Sequence, residues 1–325
     1  MIEKKYTDLI TIPDQSTIVI GLSGGPDSVF LLHLLATVQS KKQLRLIAAH
    51  LDHQWRPNSY KDVTFCQQIC NGLNIPLIIA QASNITLSRK HSGSQEDLGR
   101  QLRRTFFEKL AQEHNADAIA LAHHFDDQME TFFMRMIRGT TLTGLTGMEK
   151  KDGLYWRPLL DLSKQEILDL LNKHKLKYII DPSNQSSDFL RNRIRNNVLP
   201  ALKNCDSRFE SNFERMLKQL QETELFLEET TQQAYDTIVQ DNNILNIKVL
   251  KQKKPFLQKR LLLLWLYKSQ MPFTISERFI NEIITFLMHE RGGFHKMYAS
   301  WGIEKKQHYA QIKAISLSDN SNSST

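Results

Sequence analysis

The sequence predicts an α/β protein in which a parallel sheet, covered by helices on both faces, is followed by a mainly helical domain. Two observations predict it. Short apolar runs rich in β-branched residues recur at 17–22, 44–49, 75–80 and 116–122, and the stretches between them carry helical spacing and charge. Strands that alternate with helices in this way pair in parallel, because each crossover returns the chain to the same edge of the sheet. From about Cys205 the pattern changes to long, charged helices.

The first strand is Thr17-Ile18-Val19-Ile20-Gly21-Leu22, and a glycine-rich turn leads from it into the helical run Val29–Leu35. Helical spacing at 58–72 and 95–115 separates the later strands, and further helices are expected at 165–174 and 189–199. The second part is expected to hold helices at 205–235, 256–267 and 277–289, with short strands at 295–301 and 309–315. The polar end Ser318–Thr325 reads as a disordered tail. The expected division is thus a catalytic domain at 1–204, a mainly helical domain at 205–317 and a tail at 318–325. In an open parallel sheet ligands sit outside the carboxyl ends of the strands, so the segments after Leu22, Ala49 and Ala122 should converge on one crevice.

A chain of 325 residues with 41% hydrophobic content can bury a substantial core. Its start, Met1-Ile2-Glu3-Lys4-Lys5, lacks an apolar signal core, and nowhere do about 18 apolar residues run together, so a soluble, cytoplasmic protein without a membrane partner is expected. Cys66, Cys70 and Cys205 are odd in number and lack a Cys-x-x-Cys spacing, which argues against a disulfide framework, a zinc ribbon or a cysteine-held cluster. A net charge of +7 suits a polyanionic partner, although charge alone does not identify one.

Between the first strand and its helix stands Ser23-Gly24-Gly25-Pro26-Asp27-Ser28. Backbone N–H groups at a helix start bind phosphate oxygens, and the glycines let the main chain come close. No Gly-Lys-Ser/Thr ending follows, so the loop is not that of γ-phosphate-transferring NTPases. Asp27 could also serve only to cap the helix. The pattern resembles the loop of the PP-loop pyrophosphatase superfamily, a Rossmann-like, nucleotide α-hydrolase-like fold whose members cleave ATP between its α and β phosphates. That resemblance implies adenylation, with Ser23, Gly24, Gly25, Pro26, Asp27 and Ser28 at the ATP and Asp27 at a metal.

After the fourth strand, His123-His124-Phe125-Asp126-Asp127-Gln128-Met129-Glu130-Thr131 opens a helix, with Asp127 and Glu130 three apart on one face. Two carboxylates there either favour the helix dipole or hold a cation, Mg²⁺ or an ammonium. Followed by Arg138-Gly139 and Gly144-Leu145-x-Gly147-Met148, this stretch resembles the tRNA(Ile)-lysidine synthetase family. The resemblance implies that Asp127 and Glu130 receive a substrate lysine and that Asp127 also serves near Mg²⁺. It further implies that His123, and His50 in the loop His50–Arg56, line the nucleotide pocket.

Glu96, Arg100 and Arg103 form one charged helix stripe, ordinarily a solvated face. The family's matching stretch implies that Arg103, and with less support Arg100, contacts ATP phosphate or the activated intermediate. Asp181-Pro182-Ser183-Asn184 forms a turn before Arg191-Asn192-Arg193-Ile194-Arg195-Asn196, where Arg191 and Arg195 would repel unless an anion bridges them. The resemblance places Arg195 at the reaction centre, while Arg191 and Arg193 are read as RNA backbone contacts or solvated charges. Lys251, Lys253 and Lys254, with the nearby Lys248, Lys259 and Arg260, suit a tRNA backbone, and a solvated helix face explains them equally.

The resemblance therefore implies ligation of L-lysine to C2 of the wobble cytidine of a tRNA(Ile) with a CAU anticodon, through an adenylated base, releasing AMP and pyrophosphate. ATP and Mg²⁺ are the implied cofactors, and the assembly state, a homodimer among the options, is left open. A PP-loop tRNA thiolase, a catalytically silent tRNA-binding module and a small-molecule adenylating enzyme are the alternatives. The thiolase is disfavoured by the missing cysteine pair.

Overall fold

The computed structural model describes residues 2–87, 93–180, 189–270, 275–298 and 301–314. The expected Asp181–Asn184 turn and the Ser318–Thr325 tail lie outside them. The chain divides into two compact units, Met1–Lys218 and Gln219–Thr325.

The first unit is built on β1 (Thr17–Gly21), whose Ile18, Val19 and Ile20 are fully buried. Both neighbours pair with it in parallel: β2 (Arg45–Asp52), with Thr17 opposite Arg45, and β4 (Ala118–Ala120), with Ile18 opposite Ala118. The sheet order is β3-β2-β1-β4-β6-β5, with β3 (Leu77–Gln81) at one edge. A hairpin of β5 (Lys151–Asp152) and β6 (Tyr155–Trp156) closes the other edge; β6 runs parallel to β4, and β5 is the one antiparallel strand described. The sequence runs at 17–22, 44–49, 75–80 and 116–122 thus become β1 to β4, whereas the two-residue hairpin strands carry no periodicity to detect.

Alternating side chains of β1 feed two cores. Ile18 and Ile20 join α2 (Pro26–Lys42) and α7 (Lys164–Lys173) on one face, while Val19 joins α4 (Gln95–Glu113) on the other. α2 is buried along most of its length, because α1 (Lys4–Thr7) and α7 cover the side that the sheet does not. α3 (Tyr60–Gly72) packs on β2 and β3, and α5 (Phe125–Arg138) follows β4, with α6 (Leu142–Leu145) beside it. Ser94 and Ser163 cap α4 and α7, each hydroxyl accepting from the backbone N–H three residues on.

One expected helix is broken. The stretch 189–199 is α8 (Leu190–Arg193), then a π-helical turn at Ile194–Val198, then α9 (Leu199–Cys205). Pro200 has no N–H to donate to the carbonyl four residues back, which removes one α-helical bond from that turn.

The long helix α10 (Phe209–Ile238) begins in the first unit. Phe213 sets its ring against Phe132, Phe125 and Phe133, at centroid distances of 5.1, 6.0 and 6.2 Å. That cluster explains why residues 205–218, past the expected boundary at 204, belong to the first unit. Phe213→Ala should cost about 3–5 kcal/mol by opening a cavity on α5, read as a fall of about 10 °C in the thermal midpoint.

In the second unit, α10 is followed by β7 (Val239–Gln240), β8 (Ile244–Asn246), α11 (Ile247–Lys251), α12 (Pro255–Lys268), α13 (Glu277–Met288), β9 (Gly293–Tyr298), β10 (Trp301–Lys306) and β11 (Tyr309–Ala314). The helices match the mainly helical expectation, and the strands form an antiparallel sheet ordered β7-β8-β11-β10-β9 that the sequence showed only at its end. Trp265, fully buried, centres this core and donates its indole N–H to Asn243 O at 2.9 Å. Glu224 and Arg260 form a bidentate buried pair at 2.9 and 3.1 Å. Among the described residues no helix is long and apolar enough to cross a membrane.

Candidate functional site

The loop 23–28 is held open by its own side chains. Ser28, buried, takes a hydrogen bond from Ser23 N at 3.1 Å and donates to Gly25 O at 3.0 Å, while Ser23 Oγ accepts from Gly25 N at 3.3 Å. Gly24 has φ +83°, a backbone conformation that favours glycine, and an added Cβ would lie a tight 3.1 Å from Ile179 Cδ1. Its carbonyl accepts from Ile179 N at 2.9 Å. Gly25 caps α2 and Pro26 occupies its first turn, leaving the helix N-terminus directed at the loop. His50 sits behind the loop, its Nδ1 2.9 Å from Leu22 O and 3.5 Å from Cys66 Sγ, and so supports the strand end from which the loop departs.

Asp27 receives a partner that sequence reading missed. Lys164 Nζ lies 2.6 and 2.8 Å from its two carboxylate oxygens. The available signal was a lysine in the first helical turn after Ser163, where the dipole disfavours a cation and a specific anion must compensate.

His124, the second histidine of the stretch that opens α5, joins the acidic groups. Its Nε2 is 3.7 Å from Asp27 and 3.5 Å from Asp127, and its Nδ1 is 3.7 Å from Asp126. Burial opposes its protonation, but the Asp126, Asp127 and Asp27 carboxylates outweigh it and raise the pKa above the ordinary histidine value. Asp126 also accepts from Lys203 Nζ at 3.0 Å and from Lys164 N at 2.7 Å. His123 behaves oppositely. Burial, reinforced by Arg157, Arg191 and Arg100 against the pull of Asp127, lowers it to about 4, so at neutral pH it is an uncharged imidazole.

Asp127 both caps its helix and pairs with an arginine of the same chain. Its Oδ2 accepts from His124 N at 3.0 Å, closing a capping box on α5, while its Oδ1 accepts from Arg191 Nη2 at 2.7 Å. Glu130, fully buried, accepts from Arg191 Nε at 2.6 Å, from Arg195 Nε at 2.5 Å and from Arg195 Nη2 at 3.0 Å. Two carboxylates and two guanidiniums balance in charge. Arg195 thus pairs with Glu130, and Arg191, read from sequence as an RNA contact or a solvated charge, turns inward onto the same carboxylates. Arg103 lies close enough that desolvation, Arg191 and Arg100 all lower its pKa. Arg193 lies on an exposed face of α8, and Lys251, Lys253 and Lys254 stand in the second unit at the end of α11 and just beyond it.

Burial raises the Asp127 pKa, but His124 first, then Arg191 and His123, overcome this and hold it down to about 2 from 3.8. A carboxylate whose folded pKa lies below its unfolded value stabilises the fold above the unfolded pKa, and that stability disappears as pH falls through the folded pKa. Denaturant midpoints measured from pH 6 to pH 2 should therefore fall most steeply below about pH 4. Asp127→Asn should flatten that limb by about 2 kcal/mol.

Asp27 and Asp127 both reach the same imidazole nitrogen of His124 and carry hard oxygen donors, so the pair fits a Mg²⁺ held by two carboxylates and completed by substrate phosphates. Among the described residues no group of three or more histidines, cysteines or acids is placed to hold a metal ion. The glycine motif after α5 has a structural role. The Gln128 side chain brackets Met148, donating to its carbonyl at 2.7 Å and accepting from its N–H at 2.6 Å, and Gly147, with φ +79°, has no room for a Cβ beside Gln128 Oε1.

A family model described as a PP-loop domain matches residues 1–202. Among curated proteins, a tRNA(Ile)-lysidine synthase of Bacillus cereus is 35% identical over 290 residues, covering 85% of this chain and 60% of its own length. The protein of the same description from Bacillus subtilis is 35% identical over 291 residues, covering 86% of this chain and 61% of its own. The chain thus spans about 60% of the length of these relatives. Among solved structures, a U34-tRNA thiolase from Methanococcus maripaludis superposes with a TM-score of 0.55 at 20% identity, over 66% of this chain and 78% of that one. At that identity the likeness is one of fold.

Proposed function

The chain belongs to the PP-loop domain family, and from that premise we propose that it ligates L-lysine to the wobble cytidine of a tRNA(Ile) with a CAU anticodon, consuming ATP. The observation that carries the reading is the setting of the phosphate loop beside the Asp127–Glu130 carboxylates and their two arginines. One side is suited to a nucleotide and the other to an organic cation.

In this reading the cytidine O2 attacks the α-phosphorus of ATP, the bond to the bridging oxygen breaks and pyrophosphate leaves. The loop amides and Lys164 bind the phosphates, and Asp27 and Asp127 would hold Mg²⁺, which would supply positive charge for the departing pyrophosphate. The lysine ε-nitrogen then bonds to C2 as the C2–O bond breaks and AMP leaves, with one proton lost from the amine. An ammonium carries the same charge as a guanidinium, so a substrate lysine can replace Arg191 or Arg195 on the carboxylates without unpairing charge. The arginine so released can meet the AMP phosphate together with Arg103, which feels the charge of Arg191. Arg193, Lys251, Lys253 and Lys254 are proposed to touch the tRNA backbone.

The thiols favour a ligase over a thiolase. Burial, with Cys70 and Asp62 adding to it, pushes Cys66 up to about 12, and burial pushes Cys70 up to about 11, so neither is a ready nucleophile. The test is incorporation of labelled lysine into an unmodified CAU transcript with ATP and Mg²⁺, beside a transcript whose wobble C is U. Labelling of the first alone supports the proposal, and labelling of neither by folded protein defeats it.

A further inference from the structure

Positive charge gathers at the β6 side of the crevice, and the proposed reaction leaves part of it without a task. β6 lies in register beside β4, with Ala120 opposite Trp156 and Leu121 N donating to Trp156 O at 2.8 Å, so Arg157 leaves the sheet at the edge where His123 leaves β4. α4 brings two more arginines to that edge. Tyr155 donates its hydroxyl to Glu108 at 3.0 Å, which fixes the helix against the strand. From there Arg103 lies about 7.5 Å back along the helix, and Arg157 lies about 6.6 Å onward along the strand. The crossover helix runs opposite to the strand, so the two arginines reach the same level, with Arg100 nearly one turn further out. Their fields overlap: after burial, which contributes most, Arg100 is among the charges that lower the pKa of Arg103, Arg157 and His123.

Arg157 is unusually incomplete for a buried cation. It is 8% exposed, its Nη1 donates to Glu149 O at 2.8 Å, and its nearest carboxylate, the exposed Asp152, is 3.8 Å from Nη2. Its Nε–H and the Nδ1 of His123 have no partner among the protein's atoms. Buried donors left unpaired beside a cluster of like charges suit an anion that completes both. The PP-loop on β1 and His50 on β2 already take the nucleotide side of the sheet, and β6 lies two strands from β1 in the other direction, about 10 Å away.

We infer that Arg157 and Arg100, flanking His123, bind a backbone phosphate of the RNA substrate next to the base that reacts. The inference rests on the proposed function, which supplies the RNA. The chemistry of the site is that of a phosphate ester, and the other source of one is ATP itself.

The test measures binding of a fluorescent CAU anticodon stem-loop to the full chain across a salt series, with ATP affinity measured separately in the absence of RNA. Arg157→Gln removes the cation while keeping an amide near the level of Nε, and Arg100→Gln alters an exposed side chain that leaves folding intact. Each variant should bind the stem-loop about tenfold more weakly, and its slope of log affinity on log salt should flatten by about 0.7, the value for one lost single-strand phosphate contact. The ATP affinity of Arg157→Gln should be unchanged. RNA affinity and slope like those of wild type in both variants would overturn the inference while leaving the ligase reading intact. Weakened ATP binding with unchanged RNA binding would overturn it in favour of the nucleotide. A wild-type chain that does not bind the stem-loop would overturn both readings, and it would do so before any variant is made.

Discussion

Removing the Glu130 carboxylate, as in Glu130→Ala, is expected to destabilise the first unit by about 3–5 kcal/mol, a larger loss than from any other single change in the site. The reason is asymmetry. Glu130 is fully buried and takes three of the four hydrogen bonds by which Arg191 and Arg195 meet the acidic pair, so its loss leaves two guanidiniums facing Asp127 alone. A neutral isostere, Glu130→Gln, keeps the packing and loses the charge, and it should fall between wild type and the alanine variant. Urea unfolding with an unchanged slope reads the effect. An alanine variant within about 1 kcal/mol of wild type would show that the cluster contributes nothing to the fold. Both variants should also abolish lysine transfer under the proposed mechanism while leaving ATP binding near normal.

Asp27→Asn should have a large effect on chemistry with little on stability. Asp27 stands at the first turn of α2, is only partly buried, and is paired with Lys164 rather than with the core. Asparagine preserves its shape, so the thermal midpoint should move by only a few degrees. The carboxylate charge is what a cation between loop and phosphates requires, and ATP–pyrophosphate exchange in the presence of RNA should fall about a thousandfold. Exchange within tenfold of wild type would remove Asp27 from the reaction.

The parts of the fold and site that were legible in the sequence share a physical property. Strands β1, β2 and β4 could be read because they are continuous apolar runs buried on both faces, β3 because its apolar run persists at the sheet edge, and the phosphate loop because its glycines and serines sit between a strand and a helix. Asp127 and Glu130 were found by their spacing on one helix face. What escaped depends on distance in the chain. Lys164 lies 137 residues from Asp27, and Arg191 lies 64 and 61 residues from the two carboxylates it binds, so no local pattern could pair them. Arg191 and Arg195 were correctly seen as like charges that need an anion, but a carboxylate of the same chain answers that need as well as a phosphate does. The β5–β6 hairpin and the strands β7 and β8 of the second unit escaped because two- and three-residue strands are too short to show a period, whereas the end of that sheet was expected.

The full burial of β1 sets how nucleotide affinity should fail. Its central residues are paired on both sides and covered on both faces, so their amides should exchange with solvent only when the whole unit opens, in the slowest class of the protein. The phosphate loop therefore hangs from the last segment to let go. Heating should not shed the nucleotide from an otherwise folded unit in a separate early step, and loss of ATP binding and loss of the sheet should follow one curve.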